Sequence, residues 1–509
     1  MNNNQHKLFS TDQLHAIDQQ VIASGCASGY ELMERAGTQG FAAIEELARA
    51  STAVAVLCGT GNNGGDGWIT AREASAAGLQ TTVWLLGDER KILGSARKAL
   101  DSFLAQGGTF RHLDDPGQLD FDGSTLIVDA LIGSGFSGEL RAAHIAIVDA
   151  LNKMPDPIVA LDCPSGLDAN TGMPKPVAVK ATITLSFIGD KQGFHTAEAA
   201  DYLGDVQLFD LDIPSKYLDE APSAAYRIEP GNNVRNMLRR KSNFHKGLGG
   251  HVLVVGGNIG FGGAAILAAE AALRVGAGKV TLAARGDAIP AALARCPALM
   301  VRTVEDRLDL AELCKAADIV VIGPGLGQCN WARACLQQVL EWHSKVLLDA
   351  DALNLPEQLK SVRSDHRGWP VVTPHPGEAA RLLGVSTGIV GQDRFQAVRQ
   401  LAELINGTAV LKGAGSLIAS CQPSNGVGVC LAGNPYMATA GMGDVLSGLI
   451  GGLAAQGLDP ERAAQLGVFL HATAADYWVD ANGRCLIATD IVTTLPKVMQ
   501  DWIDCGAVR

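Results

Sequence analysis

Short, unbroken apolar runs recur along this chain, and nearly every one is followed by a stretch of helical character. "TAVAVLCG", "TTVWLLG", "STLIVDALIG", "PIVALDCPSG" and "KATITLSF" mark the first part. A β-branched run that is apolar on both faces needs cover on both sides, and helices between such runs supply it. The pattern therefore demands a parallel sheet inside two helical layers. The alternation lapses over residues 213–243, "IPSKYLDEAPSAAYRIEPGNNVRNMLRRKSN", which is polar and carries prolines. It then restarts with "GHVLVVGG", "GKVTLAA", "ADIVVIGPG", "SKVLLDAD", "WPVVTPH" and "TAVLKG". A chain of 509 residues also exceeds what one core holds. The expected fold is α/β, two three-layer αβα domains, 1–225 and 226–509, joined by an irregular connection. Two helices precede the first strand, and the first opens with Ser10 and Gln13 at capping-box spacing.

Composition narrows the function classes. A formal charge of −12 argues against non-specific nucleic-acid binding, and the basic "RNMLRRKSN" reads as a solvated helix face. Eleven scattered cysteines without a CxxC pair form neither a zinc site nor a disulfide framework, as expected in a reducing compartment. The N-terminal "MNNNQHKLFSTDQ" lacks the apolar core of a signal peptide, and no apolar stretch is long enough to span a bilayer. A cytoplasmic location is expected. The 59 glycines, without a repeat period, point to many tight turns and phosphate-type loops.

Three strand ends in the first half carry candidate chemistry. "CGTGNNGGDGW", residues 58–68, precedes the helix "WITAREASAAG". Alone it reads as a tight turn with Asx hydrogen bonds. "IVDALIGSGFSGE" puts Asp129 at a second strand end, and "VALDCPSGLDANTG" puts Asp162 and Ser165 at a third. Ligands of open parallel sheets bind at the carboxyl ends of strands, so the three together outweigh the turn reading.

The order GNNGGDG, VDALxGxG, LDxPSGLDxxTG resembles the NAD(P)H-hydrate epimerase domain, a Rossmann-like fold, through residues 1–215. That family interconverts the C6 epimers of hydrated NADH and NADPH. The resemblance implies that Asn62, Asn63, Gly64, Gly65 and Asp66, together with Gly133, Ser134, Gly135, Phe136, Ser137, Gly138 and Glu139, hold the nucleotide, and that Asp162 contacts the substrate. It implies potassium on Asn63, Asp129 and Ser165. Either Asp129 or Asp162 could carry the proton. Asp162 is preferred as catalytic, because the cation would occupy Asp129.

In the second half, "AGMGDVLSG" sets Asp444 among glycines at a helix start. Backbone N–H groups there suit a transferring phosphoryl group, and Asp444 could accept a proton from an attacking hydroxyl. As a bare N-cap it would be worth ~1 kcal/mol, which leaves the flanking glycines unexplained. "VVIGPGLG", "LLDADALN" (Asp349, Asp351, Asn354), "TPHPGE" (His375, Glu378) and "VLKGAGS" (Lys412) complete the set. A lone histidine or strand-end lysine is more often structural.

Together these motifs resemble the ribokinase-like NAD(P)H-hydrate dehydratases over residues 228–500. The resemblance implies that Lys412, Gly413, Ala414, Gly415, Ser416 and Gly443 bind the nucleotide, while Ala264, Gly325, Gly327, His375 and Asp444 hold the hydrated nicotinamide. Asp444 would be the catalytic base. Expected partners are NADHX or NADPHX and ADP with Mg2+; no nucleic acid, no membrane, and further copies of the chain in a homo-oligomer. A stable-product vitamin or sugar kinase is the nearest rival, and an epimerase-like half would have no purpose beside it. A non-catalytic RNA-scaffold role for the first half conflicts with its intact Asn62–Asp66, Asp129 and Asp162.

Overall fold

The computed structural model describes residues 6–121, 123–136, 138–305, 310–355, 369–422 and 426–505. They form two compact units, Met1–Ala225 and Tyr226–Arg509. No helix among them is long and apolar enough to cross a membrane.

The first unit opens with the helix Thr11–Ala23, and its capping box is complete: Gln13 N–H donates to Ser10 Oγ at 3.3 Å, and Ser10 N–H to Gln13 Oε1 at 3.0 Å. A second box, Ser28 with Glu31, starts the helix Gly29–Ala50. Seven strands follow in the spatial order Phe110–His112, Thr81–Leu85, Ala53–Cys58, Thr125–Ala130, Ile158–Leu161, Ile183–Phe187, Asp205–Phe209. Every pairing is parallel. The chain order reverses between Ala53–Cys58 and Thr125–Ala130, so loops leaving these neighbours diverge to opposite sides and leave a crevice. The two outermost strands escape a reading by apolar runs, since Asp205–Phe209 is largely exposed and Phe110–His112 is three residues long.

One helix begins earlier than the sequence suggests. It runs Asn62–Ala76, six residues ahead of Trp68, and takes most of the glycine-rich stretch into its first turns. A Cβ on Gly64 would lie 2.1 Å from the Gly59 carbonyl oxygen, and one on Gly65 2.4 Å from Met33 Sδ. Those glycines let the helix start press against the strand end and its neighbour helix.

Among the described residues, the second unit's strands run in the order Ala225–Arg227, Val427–Val429, Leu417–Ser420, Thr408–Leu411, Val371–Val372, Val346–Leu348, Ile319–Ile322, His251–Val255, Lys279–Ala284, Met300–Thr303. The expected all-parallel sheet needs correction at one side: Leu417–Ser420 is antiparallel to both of its neighbours here. Loop 412–416 is too short for a crossover, so a hairpin is the available connection. The supposedly irregular stretch 213–243 also contains the helices Ser215–Glu220 and Asn232–Leu238 and the strand Ala225–Arg227, all too short to show a period.

Helices Gly262–Arg274 and Met442–Ala455 pack backbone to backbone. A Cβ on Gly448 would fall 2.0 Å from the Ala268 carbonyl oxygen, and one on Gly452 2.4 Å from Val275 Cγ1. Val445–Ala454 is buried throughout, as the apolar run after Asp444 implies.

Candidate functional sites

The crevice of the first unit is a cavity of about 640 Å3, a size that suits a small-molecule ligand. Asn62, Asn63, Asp66, Gly133, Ser134, Gly135, Phe136, Glu139 and Asp162 line it. Gly64 and Gly65 are buried, and the contacts above give them a packing role. Gly138 sits at a turn with φ +97° and Ser137 lies outside the described residues. Gly61 caps the helix Asn62–Ala76 without a side-chain bond, leaving its first N–H groups open to an anion.

Asp162 occupies the left-handed region, φ +63°, which Asp tolerates better than most side chains. Its Oδ2 accepts from Ser134 N–H at 2.9 Å and Ser134 Oγ at 2.6 Å, and its Oδ1 pairs with Lys191 Nζ at 2.8 Å. Burial alone would raise this carboxyl, but the Lys191 ammonium and the Ser134 donors outweigh it and leave it below its usual value. Lys191 is 1% exposed and also donates to Ser186 Oγ at 2.7 Å. It lines the cavity beside Asp18 and His15. Sequence reasoning missed all three; the signal for Lys191 was a lysine just past a strand end.

Asp129 is fully buried beneath the loop Leu131–Gly133. It accepts from Ser165 Oγ at 2.6 Å, Ser165 N–H at 2.8 Å and Leu131 N–H at 3.2 Å. Burial still pushes it up to about 6 against those donors. Ile132 N–H donates to Ser165 Oγ at 2.9 Å, and a Cβ on Gly133 would lie 3.1 Å from Asn63 Cβ and 3.0 Å from Asp162 Oδ2. The loop thus brings Asn63, Ser165 and Asp162 into one neighbourhood. Both polar atoms of the Asn63 amide are buried and, among the described residues, without a partner. An unmatched buried amide beside an all-oxygen donor set fits a hard monovalent cation or a ligand hydroxyl.

In the second unit Asp444 is the third residue of the helix Met442–Ala455. It does not cap that helix. Gly441, at φ +88°, holds the cap position and makes no side-chain bond, so the first N–H groups stay available. Burial first, then repulsion from Asp349, lifts the Asp444 carboxyl to about 7, with Lys412 opposing and Asp351 and Glu378 adding.

Lys412 is close by but committed elsewhere. Its Nζ donates to Asp349 Oδ1 at 2.9 Å and lies 3.8 Å from Glu378 Oε2, rather than pointing free toward a nucleotide phosphate. Asp349 is further fixed by Thr373 Oγ1 at 2.7 Å and Ser447 Oγ at 2.6 Å. A Cβ on Gly443 would stand 3.1 Å from Lys412 Nζ, so the ammonium sits against the helix start.

His375 caps the helix Pro376–Leu383: Gly377 N–H donates to its Nδ1 at 3.0 Å, and its own N–H donates to Glu378 Oε2 at 2.8 Å. Its side chain remains half exposed. Gly325 packs on the other helix start, with a Cβ there 2.3 Å from the Phe261 carbonyl oxygen and 3.2 Å from Ala264 Cβ. Gly327 N–H donates to Asp351 Oδ2 at 2.8 Å. Gly325, Gly327 and Ala264 are thereby drawn to the same rim as Asp351. The loop 413–416 is organised from beneath by Arg394, which donates to the Ala414, Leu411 and Lys412 carbonyls. Ser416 Oγ donates to the Gly413 carbonyl at 3.2 Å. Arg394, on the helix Arg394–Ile405, is a second contributor that the motifs did not reveal.

Comparison with known proteins gives a model for each half. The family model described as NAD(P)H-hydrate dehydratase matches residues 252–497, and that described as YjeF-related protein N-terminus matches residues 29–193. The bifunctional NAD(P)H-hydrate repair enzyme of Coxiella burnetii is 43% identical, covering 95% of this chain and 97% of that protein. The enzyme of the same name from Escherichia coli is 39% identical, covering 97% and 94%. Among solved structures, an ADP/ATP-dependent NAD(P)H-hydrate dehydratase from Bacillus subtilis, co-crystallised with ATP and Mg2+, is 29% identical; it covers 53% of this chain and 96% of its own, with a TM-score of 0.46.

Proposed function

This chain belongs to the bifunctional NAD(P)H-hydrate repair enzymes, and from that premise we propose how its two sites divide the work. The first unit epimerises R- and S-NAD(P)HX, and the second dehydrates the S epimer to NAD(P)H. Asp162, kept ionised by Lys191 and Ser134, is the proton acceptor at C6 in the first unit. Potassium would lie between Asn63, Asp129 and Ser165, where its charge would offset the buried Asp129 carboxylate; the unpartnered Asn63 amide supports this.

In the second unit Asp444 takes the proton of the C6 hydroxyl as the phosphoryl group arrives from ADP, which enters as its magnesium complex. The open N–H groups at the starts of helices Gly262–Arg274 and Met442–Ala455 stabilise the charge in transit. Phosphate then departs where hydroxide could not, the ring double bond returns, and AMP and phosphate remain. Lys412 acts from behind, holding Asp349 and leaving Asp444 unpaired. The single observation that carries this reading is that carboxylate, unpaired among the described residues, at a helix start without a side-chain cap and raised to about 7, the range a general base at neutral pH needs. We place the activity in the cytoplasm, in a homo-oligomer.

The test is incubation of the purified chain with the epimer mixture and ADP or ATP, following NADH absorbance. Complete recovery of NADH requires both units. Recovery that stops at the S fraction, apart from slow spontaneous epimerisation, refutes the role of the first, and an accumulating phosphoester makes the second a kinase.

A further inference from the structure

Most carboxylates that line or underlie the first unit's cavity have a partner: Asp162 has Lys191 and Ser134, Asp129 has Ser165 and the Leu131 N–H, and Asp88 has Arg90. Asp18 faces His15, which opposes but does not outweigh the rise that burial gives it, and Glu139 is exposed. Asp66 is different. It lines the cavity from the helix Asn62–Ala76, and among the described residues its carboxylate has no hydrogen-bond or ion-pair partner. The charged and titratable groups facing it are Asp162, across the strand ends, Asp18, on the first helix, and the buried Cys58 thiol below; Lys191 reaches it only through Asp162. Leu32, Met33 and Ala36 supply apolar wall to the same cavity.

Resting on the epimerase reading above, we propose that Asp66 is the proton donor of the epimerisation, working opposite Asp162 as acceptor. A carboxyl with an apolar wall and two like-charged neighbours keeps its proton, while a carboxylate bound to an ammonium stays ionised. Two acids whose surroundings drive them apart in this way divide into donor and acceptor. Burial, followed by repulsion from Asp162 and Asp18, raises the Asp66 carboxyl well above the usual range, in keeping with that role.

The step balances without a further reactant. The Asp66 carboxyl gives its proton to the C6 hydroxyl oxygen. The C6–O bond breaks, water leaves, and the ring nitrogen lone pair forms a C6=N iminium. Water adds to the opposite face, a new C6–O bond forms, and the added water's proton goes to the Asp162 carboxylate. Return of that proton to Asp66 through cavity water restores the starting state, and the reverse reaction exchanges the two roles. One water leaves and one enters, so no oxidant, reductant or nucleotide is consumed.

The experiment uses the full chain without ADP, which silences the second unit. R-to-S conversion is followed by chromatography on substrate carrying 18O at the C6 hydroxyl. Asp66→Asn is expected to lower kcat by ~10²–10⁴ with KM within ~3-fold of the parent, 18O loss falling in step, and Asp66→Glu to recover part of the rate. ADP-dependent dehydration of pure S epimer by the same preparation controls for folding of the second unit, and a melting curve for the first; Asp66→Ser replaces Asp66→Asn if that variant does not fold. An unchanged kcat, or a change confined to KM, overturns the donor assignment. Asp162→Asn separates the two levels: if it abolishes epimerisation while Asp66→Asn does not, the donor assignment alone fails. If neither variant matters, the epimerase reading of this cavity fails with it.

Discussion

Both units place an aspartate and a lysine at the carboxyl edge of a parallel sheet, and they use the lysine in opposite ways. In the first, Lys191 binds Asp162 directly at 2.8 Å and the carboxyl sits below its usual value. In the second, Lys412 is spent on Asp349 at 2.9 Å, and Asp444, buried and left with like-charged neighbours, rises to about 7. Residue type and layered α/β architecture are shared; the partner of the ammonium helps decide whether the acceptor is held ionised far below neutrality or poised near it.

The largest break in that contrast is Asp444→Asn. ADP-dependent recovery of NADH from pure S epimer should fall by ~10²–10⁴, with epimerisation untouched. Because the folded-state value lies above the unfolded one, ionising Asp444 opposes folding as pH climbs from the carboxylate range through about 7. The variant should therefore melt no lower than the parent at pH 8, and a rise in Tm is expected. A variant that loses rate and melts lower would reduce Asp444 to a structural residue.

Lys191→Met attacks the other side. It strands a carboxylate in a site where the lysine is 1% exposed, and breaking a buried pair costs about 3–5 kcal/mol. Urea unfolding should show the first unit destabilised by roughly that amount, trimmed by the partial exposure of Asp162. Epimerisation should fall while dehydration persists. Equal loss of both activities would mean that the two units do not respond separately.

The pH profiles should then differ without any mutation. Dehydration needs ionised Asp444, so its kcat/KM should drop as pH falls through about 7. Epimerisation needs ionised Asp162, held low by Lys191, so its acid limb should lie below the ordinary aspartate range and well below that of dehydration. Coincident acid limbs would remove the contrast.

The smallest effect concerns a residue behind the loop. Arg394→Lys keeps a charge but cannot reach three carbonyls in a fork. KM for ADP should rise a few-fold, kcat holding, if loop 413–416 contacts the nucleotide; an unchanged KM would detach that loop from the site.

The sequence exposed most strands because buried parallel strands announce themselves as continuous apolar runs. It also exposed Asp129, Asp162 and Asp444, since polar residues at the ends of such runs stand out against them. What it hid was pairing at a distance. Lys191 reads as a surface lysine until the sheet carries it back to Asp162, and Arg394 opens a helix whose periodicity says nothing of the loop it supports. The direction of Lys412 was hidden too, because three nearby acids compete for it and only geometry chooses among them. The packing role of Gly64 and Gly65 was hidden for a related reason: a missing side chain looks alike whether a phosphate or a neighbouring residue fills the space.

The close contact between helices Gly262–Arg274 and Met442–Ala455 has a mechanical side. Their starts face the same rim, and the distance between them is set by where Gly448 and Gly452 meet Ala268, Ala272 and Val275, more than a turn inside the protein. The pair behaves as a fixed calliper, with its hinge pin replaced by a weld. A methyl group added at the weld would open the jaws, so the gap a substrate meets is gauged by residues that never touch it.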